Sequence, residues 1–376
     1  MDQPSEQELH LLAENIKTWG KALGFQQVGI SDVDLAQHEE HLKTWLGKGL
    51  HGQMQFMAEH GTKRARPAEL LPGTLRVISV RMDYLPTDAG FAKTLSDKNK
   101  GYISRYALGR DYHKLLRQRL KKLGEKIRTE IPVEYRPFVD SAPVLEHAIA
   151  EKAGIGWTGK HSLTLNRDAG SWFFLGELFI NLPLPVDTPV EEQCGSCTAC
   201  ITICPTQAII EPYVVDAKRC ISYLTIELKD AIPEALRPLI GNRIYGCDDC
   251  QLICPWNRFA QLSVEDDFQP RQHLHHQELV DLFAWDEATF LKNTEGSAIR
   301  RIGFERWQRN IAVALGNAPH AEEIIHALQA RLAGASELVA EHIIWSLDQQ
   351  RNKPIVTDRL NQRLIRSVQK ALPRDA

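Results

Sequence analysis

The chain has 376 residues, 43% of them apolar and 25% charged, enough to bury more than one core and unlike the make-up of a fibrous or disordered protein. Its 45 Lys and Arg face 48 Asp and Glu for a net charge of −3, so no global positive field attracts a polyanion, and any nucleic-acid contact must come from local basic patches. Residues 1–10 lack a basic and apolar leader, and the longest apolar run, 171–186, is broken by Glu177, Asn181, Pro183 and Pro185; export and membrane insertion are not expected.

The first 190 residues alternate helical and strand-like patterns. Leu9, Leu12, Ile16, Trp19 and Leu23 recur at three- and four-residue spacing and predict an amphipathic helix over 7–23, ended by Gly24. A strand at 27–30, a helix at 38–46, a glycine-punctuated loop at 49–52 and a strand at 76–82 follow, the last marked by Val77, Ile78 and Val80. Residues 111–130 read as a basic helix. A strand at 135–140 runs into DSAPVLEHAIAEKAG, where Ser141 would cap a helix that Pro143 begins and Gly154 stops. Segments 162–165 and 171–180, joined by NRDAG, read as a hairpin. Proline-rich residues 182–189 form a linker, and past Pro255 helices are expected at 299–315, 322–332 and 337–349, paired in the manner of HEAT repeats.

All eight cysteines fall between Cys194 and Cys254. In a reducing compartment, a chain this long needs no disulfide staples. Cys194, Cys197, Cys200 and Cys204-Pro205 have the CxxCxxCxxxCP spacing of bacterial ferredoxins, and Cys247, Cys250 and Cys254-Pro255 repeat its last three positions. A tight loop aims three thiolates at one cube while the fourth cysteine opens a helix and serves the other cluster. That rule groups Cys194, Cys197 and Cys200 with Cys254, and Cys247 and Cys250 with Cys204; Cys220 then completes the second set. Two zinc knuckles are the competing reading, but zinc needs neither the third CxxC step nor paired Cys-Pro endings. Two adjacent clusters make an electron wire, which implies a place of use in the preceding residues.

The whole chain resembles the epoxyqueuosine reductases, cobalamin-dependent iron-sulfur enzymes of queuosine biosynthesis. The segments that carry the resemblance are RARPAELLPGTLRVISVRMDYLP, YISRYALGRDYHKLL, RPFVDSAPVLEHAIAEKAGIGWTGKHSL, GSWFFLGEL, the eight cysteines and EGSAIRRIGFERWQRNIAVALGN. The resemblance implies an α+β protein: an N-terminal α/β cobalamin-binding core over 1–182, a bacterial-type two-cluster ferredoxin domain over 183–262 and a C-terminal α-helical HEAT-like domain over 263–376 that contributes to tRNA binding. It implies reduction of epoxyqueuosine to queuosine at the tRNA wobble position, with electrons passing from an external donor through two 4Fe-4S clusters to cobalamin. A cytoplasmic monomer is expected. Two readings of other kinds are a corrinoid reductive dehalogenase acting on a small organohalide and a ferredoxin-type electron carrier. The first is usually exported, and the second needs no large N-terminal half.

Asp140, in FVDSAP, matches the family's proton donor; a carboxylic donor must keep its proton near neutral pH, which asks for desolvation. The competing role is a cap on the helix expected from Pro143. By resemblance, Arg64, Tyr106, Lys160, His161, Thr164, Leu175 and Ser222 are further cofactor contacts. Two basic patches stand out. Lys114, Arg117, Arg119, Lys121, Lys122, Lys126 and Arg128 oppose Glu125 and Glu130 on a helix that reads as a solvated face. Arg300, Arg301, Arg306 and Arg309, with Trp307 interleaved, are expected to grip phosphates and an unstacked base.

Overall fold

The computed structural model describes residues 4–352 and 358–372. The chain forms two compact units: one runs to Tyr84, resumes over Tyr112–Cys197 and takes in Phe259–Gln261, and the other comprises Leu85–Asp111, Thr198–Arg258 and the described residues from Leu262 onward.

The first unit is a sheet with helices on both faces. Its elements are α1 (Glu6–Ala22), β1 (Gln27–Ser31), α2 (Ala36–Gly47), β2 (Arg76–Asp83), α3 (Tyr112–Glu130), β3 (Tyr135–Phe138), α4 (Glu146–Lys152), the short pair β4 (Trp157–Thr158) and β5 (Thr164–Leu165), and β6 (Phe173–Ile180). The four-stranded sheet has the order β1-β2-β6-β3, every neighbour antiparallel, with Ser79 opposite Glu177 and Glu177 opposite Phe138. Side chains alternate between faces. Val77 and Phe179 pack with Ala148 and Ile149 of α4 on one face, while Leu120 of α3 and Val80 close around Gly176 on the other. A Cβ at Gly29 would stand 2.0 Å from the Ala153 carbonyl, so only glycine lets the end of α4 lie this close to β1. Ser5 caps α1 in a reciprocal box with Glu8.

Two sequence expectations change here. β5 and β6 are not hairpin partners: β5 pairs with β4, and β6 enters the main sheet between β2 and β3. Only the bridge Asn166–Gly170 survives of that turn, because the apolar β6 is buried along its whole length and needs a strand on each side. The helix expected from Pro143 begins instead at Glu146. Residues 139–144 are held in tight turns, with Ser141 N–H donating to Val139 O (2.5 Å) and Val144 N–H to Ala142 O (2.8 Å).

The second unit contains the parallel pair Tyr102–Ile103 and Arg243–Tyr245, the helices α5 (Ala199–Ile203) and α6 (Asp249–Leu252) of the cysteine segment, and the longer helices α7 (Gly303–Asn317), α8 (Glu322–Leu332), α9 (Glu337–Asn352) and α10 (Arg359–Ala371). α8 matches its expected span. The helix expected over 299–315 is a 3₁₀ turn, Ala298–Ile302, followed by α7, with the break at Gly303 (φ 72°). α7 is the core of the unit: Trp307, Ile311 and Leu315 are fully buried among residues of neighbouring helices. This corrects the expected tRNA grip. Trp307 and Arg309 are both 0% exposed. The indole stacks on Trp285 with ring centroids 5.7 Å apart, and the Arg309 guanidinium donates to the carbonyls of Leu224, Leu228 and Asp230. An arginine that satisfies three buried carbonyls is a structural pin, and it cannot reach a phosphate.

Among the described residues, no helix is long and apolar enough to cross a membrane.

Candidate active site

In the first unit, polar groups gather where β3 gives way to α4. Asp140 adopts φ 52°, the left-handed region that a β-carbon disfavours and Asp tolerates better than most. The bend is fixed at both ends of the residue, but Asp140 itself is exposed, so the desolvation expected of a proton donor is not found at its own carboxyl and falls instead on the groups behind it. Its N–H donates to Glu146 Oε1 (2.7 Å); its Oδ2 accepts the Tyr112 hydroxyl and lies 3.7 Å from His113 Nε2. Tyr112 is held by stacking on Phe174, centroids 3.8 Å apart. Arg117 donates to the Ser141 hydroxyl (2.9 Å) and ties the same turn to α3.

Behind Asp140 stand several groups whose charge the interior resists. Burial and the Asp140 carboxylate push Glu146 up to about 8, partly offset by the Asp140 amide and Arg64. Burial and neighbouring Glu146 hold Glu177 well above the carboxylate range; its Oε2 accepts the Ser79 hydroxyl (2.5 Å) and its Oε1 has no hydrogen-bond partner. His147 is pushed down by the protein around it, and its Nδ1 lies 2.7 Å from Thr164 Oγ1. Yet Glu146 is only half-buried and His147 is exposed. Side chains surrounded by protein that still meet solvent line a recess.

The other cofactor candidates of this unit lie nearby or serve elsewhere. His161, pushed down to about 4 by burial, accepts the Leu163 N–H at Nδ1 (3.2 Å); its Nε2 therefore carries the hydrogen and is a buried donor with no acceptor among the described residues. Arg64 Nε is likewise buried without a partner, while its Nη2 donates to Phe56 O (2.7 Å). Unused buried donors fit a ligand rich in amide carbonyls, which is what the periphery of a corrinoid offers. Lys160 is committed elsewhere: its ammonium donates to the carbonyls of Gly195 and Cys197 in the cysteine loop. Leu175 lies in an apolar cluster with Phe173, Ala150 and Ile155. Tyr106 and Ser222 belong to the second unit. The Tyr106 hydroxyl donates to Tyr245 (3.3 Å), and Ser222 adjoins the Cys220 thiol.

Among the described residues, the eight cysteines form no disulfide. Within the second unit, Cys250 is pushed well above the thiol range by burial and by the neighbouring Cys220, Cys204 and Cys200; Cys247 is raised by burial, Asp249 and Cys250. Thiols crowded in dry surroundings resist ionisation alone and yield thiolates readily to a soft polynuclear cation, so Cys220, Cys247 and Cys250, with Cys204 beside them, fit the donor set expected of the second cluster. The Ala208 N–H, 3.2 Å from Cys204 Sγ, is the kind of hydrogen bond that tunes a cluster sulfur.

Of the basic residues on the second unit, Arg300 and Arg301 are exposed, Arg300 donating to Leu291 O (3.0 Å) and Arg301 pairing with Glu227 (3.0 Å). Arg306 is turned onto the carbonyls of Ile302, Ile226 and Arg301. A more open surface lies on α10, where exposed Arg359, Arg363, Arg366 and Lys370 recur at 4-3-4 spacing on one face and no acidic residue interrupts the helix. That spacing is present in the sequence. Glu146, His147 and Glu177 had a weaker signal; Glu177 looked only like an interruption of an apolar run.

Residues 193–257 match the 4Fe-4S double cluster binding domain, which takes in all eight cysteines. The class is thus a two-cluster iron-sulfur oxidoreductase. Residues 64–141, ending one residue past Asp140, match the family described as Epoxyqueuosine reductase QueG, DUF1730. The chain is 66% identical over 375 residues to an epoxyqueuosine reductase of Escherichia coli (strain K12), covering 98% of this chain and 99% of that protein. It shares its fold with an epoxyqueuosine reductase from Bacillus subtilis, solved with its catalytic aspartate loop swung out of the active site (TM-score 0.83, 26% identity, 97% of this chain and 100% of that one). An epoxyqueuosine reductase crystallised with an epoxyqueuosine-modified tRNA-Tyr stem loop has the same fold (TM-score 0.83, 24% identity, 96% and 99% covered). The chain belongs to the epoxyqueuosine reductase family.

Proposed function

We propose that the protein reduces epoxyqueuosine at the wobble position of a tRNA anticodon to queuosine, drawing electrons from an external donor through its two 4Fe-4S clusters to cobalamin, with Asp140 as proton donor. The observation that carries the reading is the Asp140 bend: a left-handed aspartate fixed through its amide and its carboxylate at the edge of a recess. A relative with a mobile catalytic aspartate loop supports placing the acid on such a turn. The Tyr112 hydroxyl occupies Oδ2 and leaves Oδ1 to present the proton.

Bound beside the recess, cobalamin would supply a low-valent metal that passes electrons to the epoxide carbon. The donors left for its amide fringe are His161 Nε2 and Arg64 Nε; Thr164, Leu175, Tyr106 and Ser222 are the further contacts that the family resemblance implies. Lys160 acts one step removed, by fixing the loop of Cys194 and Cys197. The first cluster takes Cys194, Cys197, Cys200 and Cys254, and the second Cys204, Cys220, Cys247 and Cys250. In this reading, residues 1–182 hold the corrinoid, 183–262 the clusters, and the HEAT-like helices of 263–376 meet the tRNA, whose phosphates are drawn by the α10 cations and by Arg300 and Arg301.

The test is anaerobic reconstitution with iron, sulfide and cobalamin, followed by reduction in the presence of an epoxyqueuosine-containing stem loop. Queuosine is the expected product, and its absence sinks the reading. Asp140→Asn is expected to keep about eight irons per chain and bound corrinoid while turnover falls roughly 100- to 10,000-fold; near-normal turnover removes Asp140 from the chemistry.

A further inference from the structure

Converting an epoxide to an alkene consumes two electrons and two protons: both C–O bonds break, a C=C bond forms and the oxygen leaves as water. Asp140 carries one proton. The electrons come from the reductant, but a second proton must reach the oxygen before it departs. Three side chains stand around Asp140 as sources. Tyr112 and His113 come from α3, and Glu146, whose Oε1 accepts the Asp140 N–H at 2.7 Å, comes from the first turn of α4.

We propose that Glu146 is the proton store of the active site: it is held beside Asp140 by the amide clasp and gives its proton to the Asp140 carboxylate after the first transfer, so that Asp140 acts twice in one turnover. The inference rests on the reading of Asp140 as donor. In the first transfer, the Asp140 carboxyl protonates the oxygen freed by the first C–O cleavage, leaving an alcohol and a carboxylate. The Glu146 carboxyl then passes its proton through the recess to that carboxylate. In the second transfer, Asp140 protonates the departing hydroxyl, and water leaves. Glu146 regains its proton from solvent, which reaches the recess along the exposed His147.

The groups facing Glu146 suit it to this task. Burial and Asp140, on the turn before α4, disfavour a carboxylate there, while the Asp140 amide and Arg64, from the 3₁₀ turn Gly61–Arg64, limit how far the proton is held; Glu177, on β6, is itself pushed up by Glu146. With its proton released only near pH 8, Glu146 is loaded at neutral pH yet gives the proton up far more readily than a phenol near 10. Thr164 occupies His147 Nδ1. His113 lies across the Asp140 carboxylate, on its outer side from α3, and is the rival source.

Glu146→Gln separates the roles, because the amide oxygen of Gln can still accept the Asp140 N–H while the side chain carries no transferable proton. Wild-type kcat is expected to fall as pH rises through about 8. In E146Q, kcat at pH 7 drops about tenfold or more, the limb near pH 8 disappears, and KM for the stem loop is unchanged. Glu146→Asp restores part of the rate and a limb at altered pH, which a role confined to holding the loop does not predict. E146Q turnover within twofold of wild type with the limb intact overturns the proposal, as does transfer of the limb to His113→Asn. Asp140→Asn run alongside separates the failures: an active D140N defeats the reading of Asp140, whereas an inactive D140N beside a normal E146Q defeats only the store.

Discussion

The cysteine segment and the Asp140 recess handle charge in opposite ways. Burial and neighbouring charge push Cys220, Cys247 and Cys250 up, so that their thiolates are unfavourable without a soft metal core. Around Asp140, burial and like charge keep Glu146 and Glu177 protonated, with Arg64 only partly offsetting this at Glu146. Metal ligation makes the first arrangement all-or-none, whereas carboxyl groups that share protons make the second graded. Substitutions in the two regions should differ accordingly.

The largest effect is expected at the metal end. Cys250→Ser should lose about half of the iron of the reconstituted protein and essentially all reduction with a physiological type of electron donor, read by iron analysis and electron paramagnetic resonance. If two intact clusters persist, Cys250 is not a ligand and the all-or-none character fails.

Replacing Arg359, Arg363, Arg366 and Lys370 together by Gln should weaken stem-loop binding about tenfold or more and lower the salt slope by up to about 3 to 4, with iron content unchanged. An unchanged slope moves the phosphate contacts elsewhere. Combining Arg309→Gln with this set should add a loss of stability, because three carbonyls lose their donor, and little further loss of affinity.

A pH-dependent effect sharpens the graded side. The folded protein holds the Glu177 proton more tightly than the unfolded chain does, so wild-type stability declines as pH rises above the unfolded value of 4.5 toward the raised folded one. Glu177→Gln keeps an acceptor for Ser79 and escapes this decline. Its stability advantage should therefore grow with pH, by as much as about 1.4 kcal/mol per pH unit, measured by denaturant unfolding between about pH 5 and 8. A constant difference would show that Glu177 is already ionised in the fold.

How much the sequence disclosed follows the same division. The double-cluster motif is local: CxxC steps and Cys-Pro endings are short-range geometry, and the segment 193–257 that matches the double cluster domain can be read directly. So can α8, whose apolar spacing and flanking turns fix both ends. The recess is assembled from α3, β3, α4 and β6, and nothing in FVDSAP shows that Tyr112, 28 residues earlier, will hydrogen-bond Asp140. The arginines of α7 misled for a related reason. Arg next to Trp looks alike on a surface and in a core, and only packing against residues near 224–230 turns Arg309 inward. The hairpin expectation failed because turn chemistry is local but strand pairing is not.

Lys160 joins two segments of the first unit that lie far apart in sequence. Its one ammonium secures the carbonyls of Gly195 and Cys197, and the next residue is His161, with its waiting donor. That single charge therefore couples the backbone around Cys194 and Cys197 to the segment that carries His161.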